Sequence, residues 1–237
     1  MVPGPISGNL LRLVESQEQV ATNQLVDDLD EQRVLEELLE GTKPPSPQAG
    51  PRHYLLRTPF RYPPLRHGSR FGARHEPSLF YGSLSLAALL AEAAFYRFYF
   101  WHGMESPPTS AFVTQHTTFE AGYLARHGLR LQAPPFDRFR EGLIHPSDYT
   151  ATQALGSALR EAGIEAFEYV SARDPEGGLN VALFTPRALV GDRPLSQERW
   201  LCQTDGELVR FLGNAASAHE FPIELFMVGG VLPQPAP

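Results

Sequence analysis

Residues 78–100 read SLFYGSLSLAALLAEAAFYRFYF, and this stretch decides the fold class. It starts with a short apolar run that ends at Gly82, a pattern typical of a strand. The long apolar and alanine-rich run after it, up to about Phe100, predicts a helix that Ser83 or Ser85 can cap. A strand followed directly by a helix indicates that both element types share one core.

Strands and helices are mixed without regular alternation along the rest of the chain. We predict further strands at residues 54–57, 111–119, 128–133, 165–171, 180–185 and 222–230. A further helix is predicted from Pro146 and Ser147 to about Ala162. This mixture favours an α+β fold with a mixed, mostly antiparallel sheet over a doubly wound parallel sheet.

The N-terminal segment differs in character from the rest of the chain. Residues 7–41 predict two helices, the second of which ends at Gly41. Residues 43–51 read KPPSPQAGP, the composition of a stiff connector. We therefore expect a helical N-terminal extension at residues 1–50 and a main domain at residues 51–237.

The composition is that of an ordinary globular protein, with 237 residues, 42% hydrophobic and 20% charged. The apolar run from Leu84 to Trp101 contains Glu92 and Arg97, so it is too polar to span a bilayer. The N-terminus lacks the pattern of a signal peptide, and we expect a cytoplasmic location. One cysteine, Cys202, and eight histidines without metal-ligand spacing lead us to predict no metal site.

Charge is distributed very unevenly. The net charge of −7 argues against a general nucleic-acid coat, yet residues 43–75 hold seven bases and no acid. Six of these bases are arginines, whose planar paired donors suit phosphate and carboxylate groups. In a second interpretation, the acidic residues 15–40 fold back and neutralise this basic segment.

Glu92 is the most informative residue of the predicted helix. Its neighbours three and four positions away are all uncharged: Ala88, Leu89, Phe95 and Tyr96. A carboxylate on an apolar face must find a cation or hydrogen-bond donors, and this cost is often tolerated where the carboxylate does chemistry. A structural ion pair with a nearby arginine is the alternative.

Arg70 lies between Gly68 and Gly72, which allow a close backbone approach and a positive φ. Arg57 and Arg70 are the arginines that we expect to turn inward. Tyr81 ends the short strand before Gly82, so it is either a core residue with a solvated hydroxyl or an open ring for stacking on a planar heterocycle.

Arg70, Tyr81 and Glu92 succeed one another at intervals of eleven residues, and this arrangement resembles the Arg–Tyr–Glu set of the RES-domain family. The stretches from Tyr169 to Ala172 and from Asn180 to Leu183 are similar to the family's serine region and the asparagine beyond it. The resemblance covers residues 54–190. One departure is Gly68-Ser69-Arg70-Phe71, where the family commonly has Gly-Gly-Arg-Trp.

The resemblance implies a fold similar to ADP-ribosyltransferase toxins and a toxin of a bacterial toxin–antitoxin pair that consumes NAD. It assigns Arg70, Tyr81 and Glu92 to catalysis. It assigns Arg70, Tyr81, Ser171 and Asn180 to NAD binding, with NAD as the substrate, and we expect Arg57 to help Arg70 bind the pyrophosphate. It also implies a neutralising antitoxin with a helix-turn-helix-like domain. Either water or phosphate accepts the ADP-ribose, or a protein side chain does, as in a mono-ADP-ribosyltransferase.

Two interpretations from other functional classes compete with this one. Aromatic residues interleave with the basic segment, namely Tyr54, Phe60, Tyr62 and Phe71, as in a module that binds single-stranded RNA. The acidic net charge and Glu92 disfavour it, because both repel phosphate. A purely structural protein is the third interpretation, and it predicts that Arg70 serves stability alone.

Overall fold

The computed structural model describes residues 3–16, 28–42, 52–62, 64, 66–214 and 217–236. Its strands are β1 (Gly4–Glu15), β2 (Phe80–Ser83), β3 (Phe112–Arg130), β4 (Ala166–Val170), β5 (Leu179–Leu183), β6 (Leu189–Val190), β7 (Ser196–Thr204), β8 (Leu208–Gly213) and β9 (Ala218–Pro222). Its helices are α1 (Leu29–Thr42), α2 (Tyr54–Arg61), α3 (Leu86–His102), α4 (Arg140–Leu143) and α5 (Thr150–Glu161).

The strands form one sheet in the order β1-β2-β5-β4-β3-β7-β8-β9, with β6 beside β3. Strand β1 pairs antiparallel with both β2 and β3, so β1, β2, β5, β4 and β3 close into a ring. The pairing of β3 with β4 is parallel, and all the other pairings are antiparallel. The predicted α+β fold with a mixed, mostly antiparallel sheet is confirmed.

The 17-residue helix α3 begins where the sequence predicts. Ser85 caps it by accepting a hydrogen bond from the Ala88 N–H. Residues on one side of α3, among them Phe95 and Phe98, pack against β7, β8 and the segment after β9. This packing holds α3 against the outer strands and leaves the start of the helix beside the strand ring.

The first helix predicted within residues 7–41 is wrong, because Gly4–Glu15 forms strand β1. Leu10, Leu11 and Val14 fit a helical stripe, but β1 gains backbone hydrogen bonds along β3, and Ile6 and Leu10 are buried in the ring. Tertiary pairing thus outweighs the local pattern. The second predicted helix is confirmed as α1, while residues 17–27 and the connector at 43–51 lie outside the described residues.

Other predicted elements need correction. Residues 54–57 belong to a helix, α2, because His53 caps it and Leu55 and Leu56 face the ring core. The strands predicted at 111–119 and 128–133 join into the single strand β3. A strand was predicted at residues 222–230, but Ile223–Phe226 forms a 3-10 helix. Strands β7 and β8 were not predicted.

The boundary predicted between an extension at residues 1–50 and a main domain at residues 51–237 stays a prediction. The N-terminal extension was predicted to be helical, but it contains strand β1. A unit that started at residue 51 would lack this strand, which pairs with β3. The strand predicted at residues 165–171 and the strand at 180–185 are confirmed as β4 and β5, and the helix predicted up to Ala162 is confirmed as α5.

Candidate active site

A cavity of about 1070 Å³ opens beside the strand ring. Strand β1, helix α2, the loop before β2, helix α3 and strand β5 all contribute to its wall. Pockets of small-molecule sites span roughly 300–1,000 Å³, so this cavity has room for a dinucleotide. All six site residues predicted from the sequence except Ser171 line it.

The loop that carries Arg70 is fixed by backbone contacts. Ser69 and Gly72 pair with each other, and Gly68 adopts a positive φ of 73°, which favours glycine. Helix α5 approaches so closely that a Cβ on Gly156 would collide with the Phe71 carbonyl oxygen. The loop is therefore clamped against α5 before any ligand binds.

Arg70 is buried, and its Nη1 donates to the carbonyl oxygen of His145 at 2.8 Å and to that of Leu143 at 3.4 Å. Its guanidinium carbon lies 4.5 Å from the centre of the Tyr149 ring. The positive charge is thus held by neutral groups, which leaves it available to an anion in the cavity.

Tyr81 braces the same loop. Its hydroxyl shares a hydrogen bond with Ser69 Oγ at 2.8 Å and accepts one from the Phe71 N–H at 3.2 Å, so it contacts both neighbours of Arg70. Burial raises the pKa of Tyr81 to about 12, which keeps the hydroxyl protonated. Its ring meets Tyr169 edge to face.

Glu92 projects from α3 into the cavity and is held by two donors from other elements. Ser171 Oγ donates to Glu92 Oε1 at 2.6 Å, and Asn180 Nδ2 donates to the same oxygen at 2.8 Å. Because both donors use Oε1, the second carboxylate oxygen is available to a bound ligand. The sequence left open an ion pair between Glu92 and an arginine. At Oε1 the partners are instead the neutral side chains of Ser171 and Asn180.

The two donors are themselves fixed. Asn180 Oδ1 accepts a hydrogen bond from Ser83 Oγ at 2.7 Å, which orients the amide so that Nδ2 faces Glu92. Ser171 Oγ accepts from the backbone N–H groups of Arg173 and Asp174, both at 3.1 Å, and this directs its own proton towards Glu92. The carboxylate is therefore preorganised.

Ser171 differs in position from the other predicted residues. It is only 3% exposed and lies behind Glu92 rather than on the cavity wall. Its hydroxyl is engaged by Glu92, so in this structure it orients the carboxylate. Arg57 does line the cavity, from helix α2 rather than from the predicted strand.

Arg12 is a cavity residue that the sequence patterns did not single out. From β1, its Nη1 donates to the carbonyl oxygen of Tyr81 at 2.6 Å, and burial lowers its pKa to about 10. Its Nε has no hydrogen-bond partner among the described residues. The sequence does contain a feature that could have identified Arg12, because it is a charged residue inside the apolar run LLRLV. The same criterion singled out Glu92.

The cavity wall thus combines guanidinium groups from Arg12, Arg57, Arg61 and Arg70 with two carboxylates, Glu15 at the end of β1 and the hydrogen-bonded Glu92. This set can bind an extended anion and stabilise positive charge that develops next to it. Across the described ranges, no group of three or more His, Cys, Asp or Glu side chains could hold a metal ion. Within the same ranges, none of the helices has the length and apolar character needed to cross a membrane.

The comparisons with known proteins give a family and a structural neighbour. The model of the RES domain family matches residues 47–205, which is more than half of the chain. A chain in the crystal structure of the M. tuberculosis MbcT–MbcA toxin–antitoxin complex is similar with a TM-score of 0.48 and 11% identity, over 82% of this chain and 85% of that one. Among curated proteins, none matches this sequence.

Proposed function

The chain belongs to the RES-domain family, and on that premise we propose that it is a toxin of a toxin–antitoxin pair that binds NAD and cleaves the bond between nicotinamide and ribose. The observation that carries the proposal is the carboxylate of Glu92, held by two hydrogen-bond donors, in a cavity lined by four arginines. Each of the two charges matches one part of the substrate.

The arginines match the pyrophosphate of NAD. Arg70 has its planar donors fixed against carbonyl oxygens and a ring, and Arg12 and Arg57 add charge from two other elements. Charge-assisted hydrogen bonds from guanidinium groups are among the strongest contacts that a phosphate can receive. This part of the cavity supports substrate binding.

The carboxylate matches the ribose. When the bond to nicotinamide breaks, its electron pair leaves with nicotinamide, and the ribose ring takes on positive charge that resembles an oxocarbenium ion. Glu92, held by Ser171 and Asn180, supports stabilisation of that charge or a hydrogen bond to the 2′-hydroxyl. Tyr81 lines the same cavity and offers an aromatic contact for nicotinamide.

The acceptor of the ADP-ribose decides the enzyme class. Water makes the protein an NAD glycohydrolase and phosphate makes it a phosphorylase, and both deplete NAD. A protein side chain makes it a mono-ADP-ribosyltransferase, which is the second candidate. In each case the acceptor oxygen or nitrogen bonds to the ribose carbon as the bond to nicotinamide breaks. Water or a protein O–H or N–H then releases a proton, whereas an ionised phosphate oxygen has none to release. We favour NAD depletion, because the sequence carries no motif for binding a protein acceptor.

The experiment is to incubate the purified chain with labelled NAD and to follow free nicotinamide with and without phosphate and cell extract. We expect nicotinamide release, with the label in ADP-ribose or in its phosphorylated product rather than on protein. Label retained on protein would favour the transferase instead. If nicotinamide is released under none of these conditions, the proposal is wrong.

Glu92→Gln is the decisive variant, because it preserves shape and removes the charge. We expect nicotinamide release to fall about a thousandfold, the effect of losing a preorganised electrostatic contact in a transition state. Glu105→Gln, at an exposed position, is the matched control and should retain the wild-type rate. Circular dichroism of both variants checks the fold.

A cellular test addresses the antitoxin partner. Expression of the chain alone should arrest growth, and co-expression of a neighbouring gene product with a helix-turn-helix-like domain should relieve the arrest. Cells that express the Glu92→Gln variant should grow. Equal arrest by the variant would contradict the link between NAD cleavage and toxicity.

A further inference from the structure

We propose that Tyr149 is the positioning residue that holds Arg70 in place in the cavity that Glu92 also lines. The inference rests on the proposed function, since it concerns how the charged side chains of Arg70 and Glu92 in that site are kept in fixed positions. Tyr149 lines the cavity but is only 1% exposed. Its role is to support Arg70 rather than to perform chemistry.

The side-chain contacts that fix Arg70 come from one short segment, residues 143–149. The carbonyl oxygens of Leu143 and His145 accept from Nη1, and the Tyr149 ring lies 4.5 Å from the guanidinium carbon. The carbonyl groups fix one edge of the guanidinium. The ring face fixes its plane, because a cation is attracted to the negative face of an aromatic ring.

The segment is fastened to the rest of the molecule from two sides. Near the C-terminus, the Ala236 N–H donates to the Ser147 carbonyl oxygen at 2.8 Å, and the Ala236 carbonyl oxygen accepts from the Tyr149 N–H at 2.9 Å. On the other side, Arg173 Nη2 donates to the Pro146 carbonyl oxygen at 2.6 Å. These hydrogen bonds therefore fix the backbone segment that carries the Tyr149 ring.

The hydroxyl end of Tyr149 connects to the carboxylate side of the cavity. Arg173 Nη2 donates to the Tyr149 hydroxyl at 3.4 Å, and the Arg173 guanidinium carbon lies 3.4 Å from the centre of the Phe95 ring. The backbone N–H of Arg173 donates to Ser171 Oγ, which donates to Glu92. Contacts thus run without a break from Arg70 to Glu92.

This arrangement predicts a specific kinetic signature. The pyrophosphate contact of Arg70 holds in both the ground state and the transition state, so loosening Arg70 weakens substrate binding more than it slows the chemical step. Removing the Tyr149 ring should therefore raise KM for NAD and leave kcat nearly unchanged. A ring that served packing alone would lower stability without this split.

The test replaces Tyr149 in the full chain with phenylalanine and with mono-, di- and trifluorophenylalanine by amber suppression. The four rings have nearly the same shape, but each fluorine withdraws electrons from the ring face. We expect phenylalanine to keep KM near the wild-type value and KM to rise with every fluorine. The total rise should be about tenfold to thirtyfold, the size of a desolvated cation–π contact.

The same fluorinated series at Phe139 is the matched control. There the Arg138 guanidinium carbon lies 4.7 Å from the ring centre, and Phe139 is 53% exposed and does not line the cavity. KM should be constant along the Phe139 series. A KM that is equally constant along the Tyr149 series would overturn the inference.

A binding measurement separates this inference from the proposed function. If the wild-type chain cleaves no NAD, the proposed function fails, and the series is then measured by calorimetry with ADP-ribose as the probe. Stepwise weaker binding along the Tyr149 series supports the positioning role. Constant affinity, or no ADP-ribose binding by the wild-type chain, overturns it. Tyr149→Met, which lacks a ring but fills the space, should bind ADP-ribose as weakly as the trifluorinated variant.

Discussion

The two charged walls of the cavity are built on different principles. On the carboxylate wall, Glu92 is held by the side chains of Ser171 and Asn180, which converge on one oxygen. On the guanidinium wall, Arg70 is held by two backbone carbonyl oxygens and the ring of Tyr149. One charge therefore depends on side chains that a point substitution removes, and the other depends largely on backbone.

The difference arises from where the walls lie in the fold. Glu92 sits on a regular helix, whose backbone groups are already used, so side chains from β5 and the segment after β4 must supply its partners. Arg70 sits in a loop beside the C-terminal end of α4 and the residues after it, where carbonyl groups lack an intrahelical partner and can accept. The carboxylate wall should therefore be the more sensitive to single substitutions.

Asn180→Asp should have the largest effect, because it sets a second carboxyl group 2.8 Å from Glu92 Oε1. Two carboxyl groups at this distance share one proton at neutral pH, so the remaining negative charge is divided between them in a mutual hydrogen bond and is less available to the ribose. We expect kcat for nicotinamide release to fall by roughly a hundredfold to a thousandfold.

The exposed pair Asn9 and Glu120 offers a matched control, since Asn9 Nδ2 also donates to Oε1 of its glutamate at 2.8 Å. Asn9→Asp should leave kcat unchanged. If Asn180→Asp retained the wild-type rate at pH 7, the hydrogen bond from Asn180 would not be needed to keep the Glu92 charge available for catalysis.

Arg70→Lys tests the guanidinium wall. A lysine keeps the charge but has neither the planar donors that meet two carbonyl groups nor the face that stacks on Tyr149. We expect KM for NAD to rise roughly a hundredfold, the scale of a lost charged hydrogen-bonded contact, with a smaller change in kcat. Arg74→Lys, at an exposed position two residues past the Ser69–Gly72 pair, is the control. A fall in kcat with constant KM would place Arg70 in the chemical step instead.

Ser171→Ala should act on the carboxylate wall more weakly than Asn180→Asp. It removes one of two donors to Glu92 without adding charge. A hydrogen bond to a charged group contributes about 1.5–3 kcal/mol, so kcat should fall roughly tenfold to a hundredfold. Steady-state kinetics should show an unchanged KM, because Ser171 does not line the cavity. A higher KM with constant kcat would instead indicate that Ser171 contacts the substrate.

Tyr81→Phe should have the smallest effect, mainly on stability. It removes the hydroxyl that contacts Ser69 and Phe71, so we expect the free energy of unfolding to fall by about 1–2 kcal/mol in urea titrations at pH 7.

The raised pKa of Tyr81 also sets the sign of an alkaline effect. The folded chain keeps this proton up to about pH 12, whereas the unfolded chain loses it near pH 10. The contribution of Tyr81 to stability is therefore complete below pH 10 and is lost between about pH 10 and pH 12. The phenylalanine variant should lose less stability than the wild type over this range. An equal loss would show that Tyr81 is solvated.

Some of the fold could be predicted from local patterns and some could not. Helix α3 and strands β4 and β5 lie where the local sequence patterns predict them, and the cap of α3 is Ser85, one of the two serines that the pattern offered. Strand β1 and helix α2 were assigned to the wrong class, because Leu10 and Leu55 gain burial in the ring core that their own segments do not encode. The same error hid Arg12, since a helix there would have placed it outside the sheet.

By itself, the sequence determined that Arg70 and Glu92 are charged residues in surroundings where charge is costly. An arginine between glycines and a glutamate inside an apolar helix indicate charges that the fold must accommodate, because a buried charge is too costly to be accidental. Only the tertiary structure decided how those charges are held. Ser171 and Asn180 reach Glu92 from 79 and 88 residues away, and the ring of Tyr149 meets Arg70. Such contacts depend on how strands and loops distant in the chain pack together, and no local pattern specifies that packing.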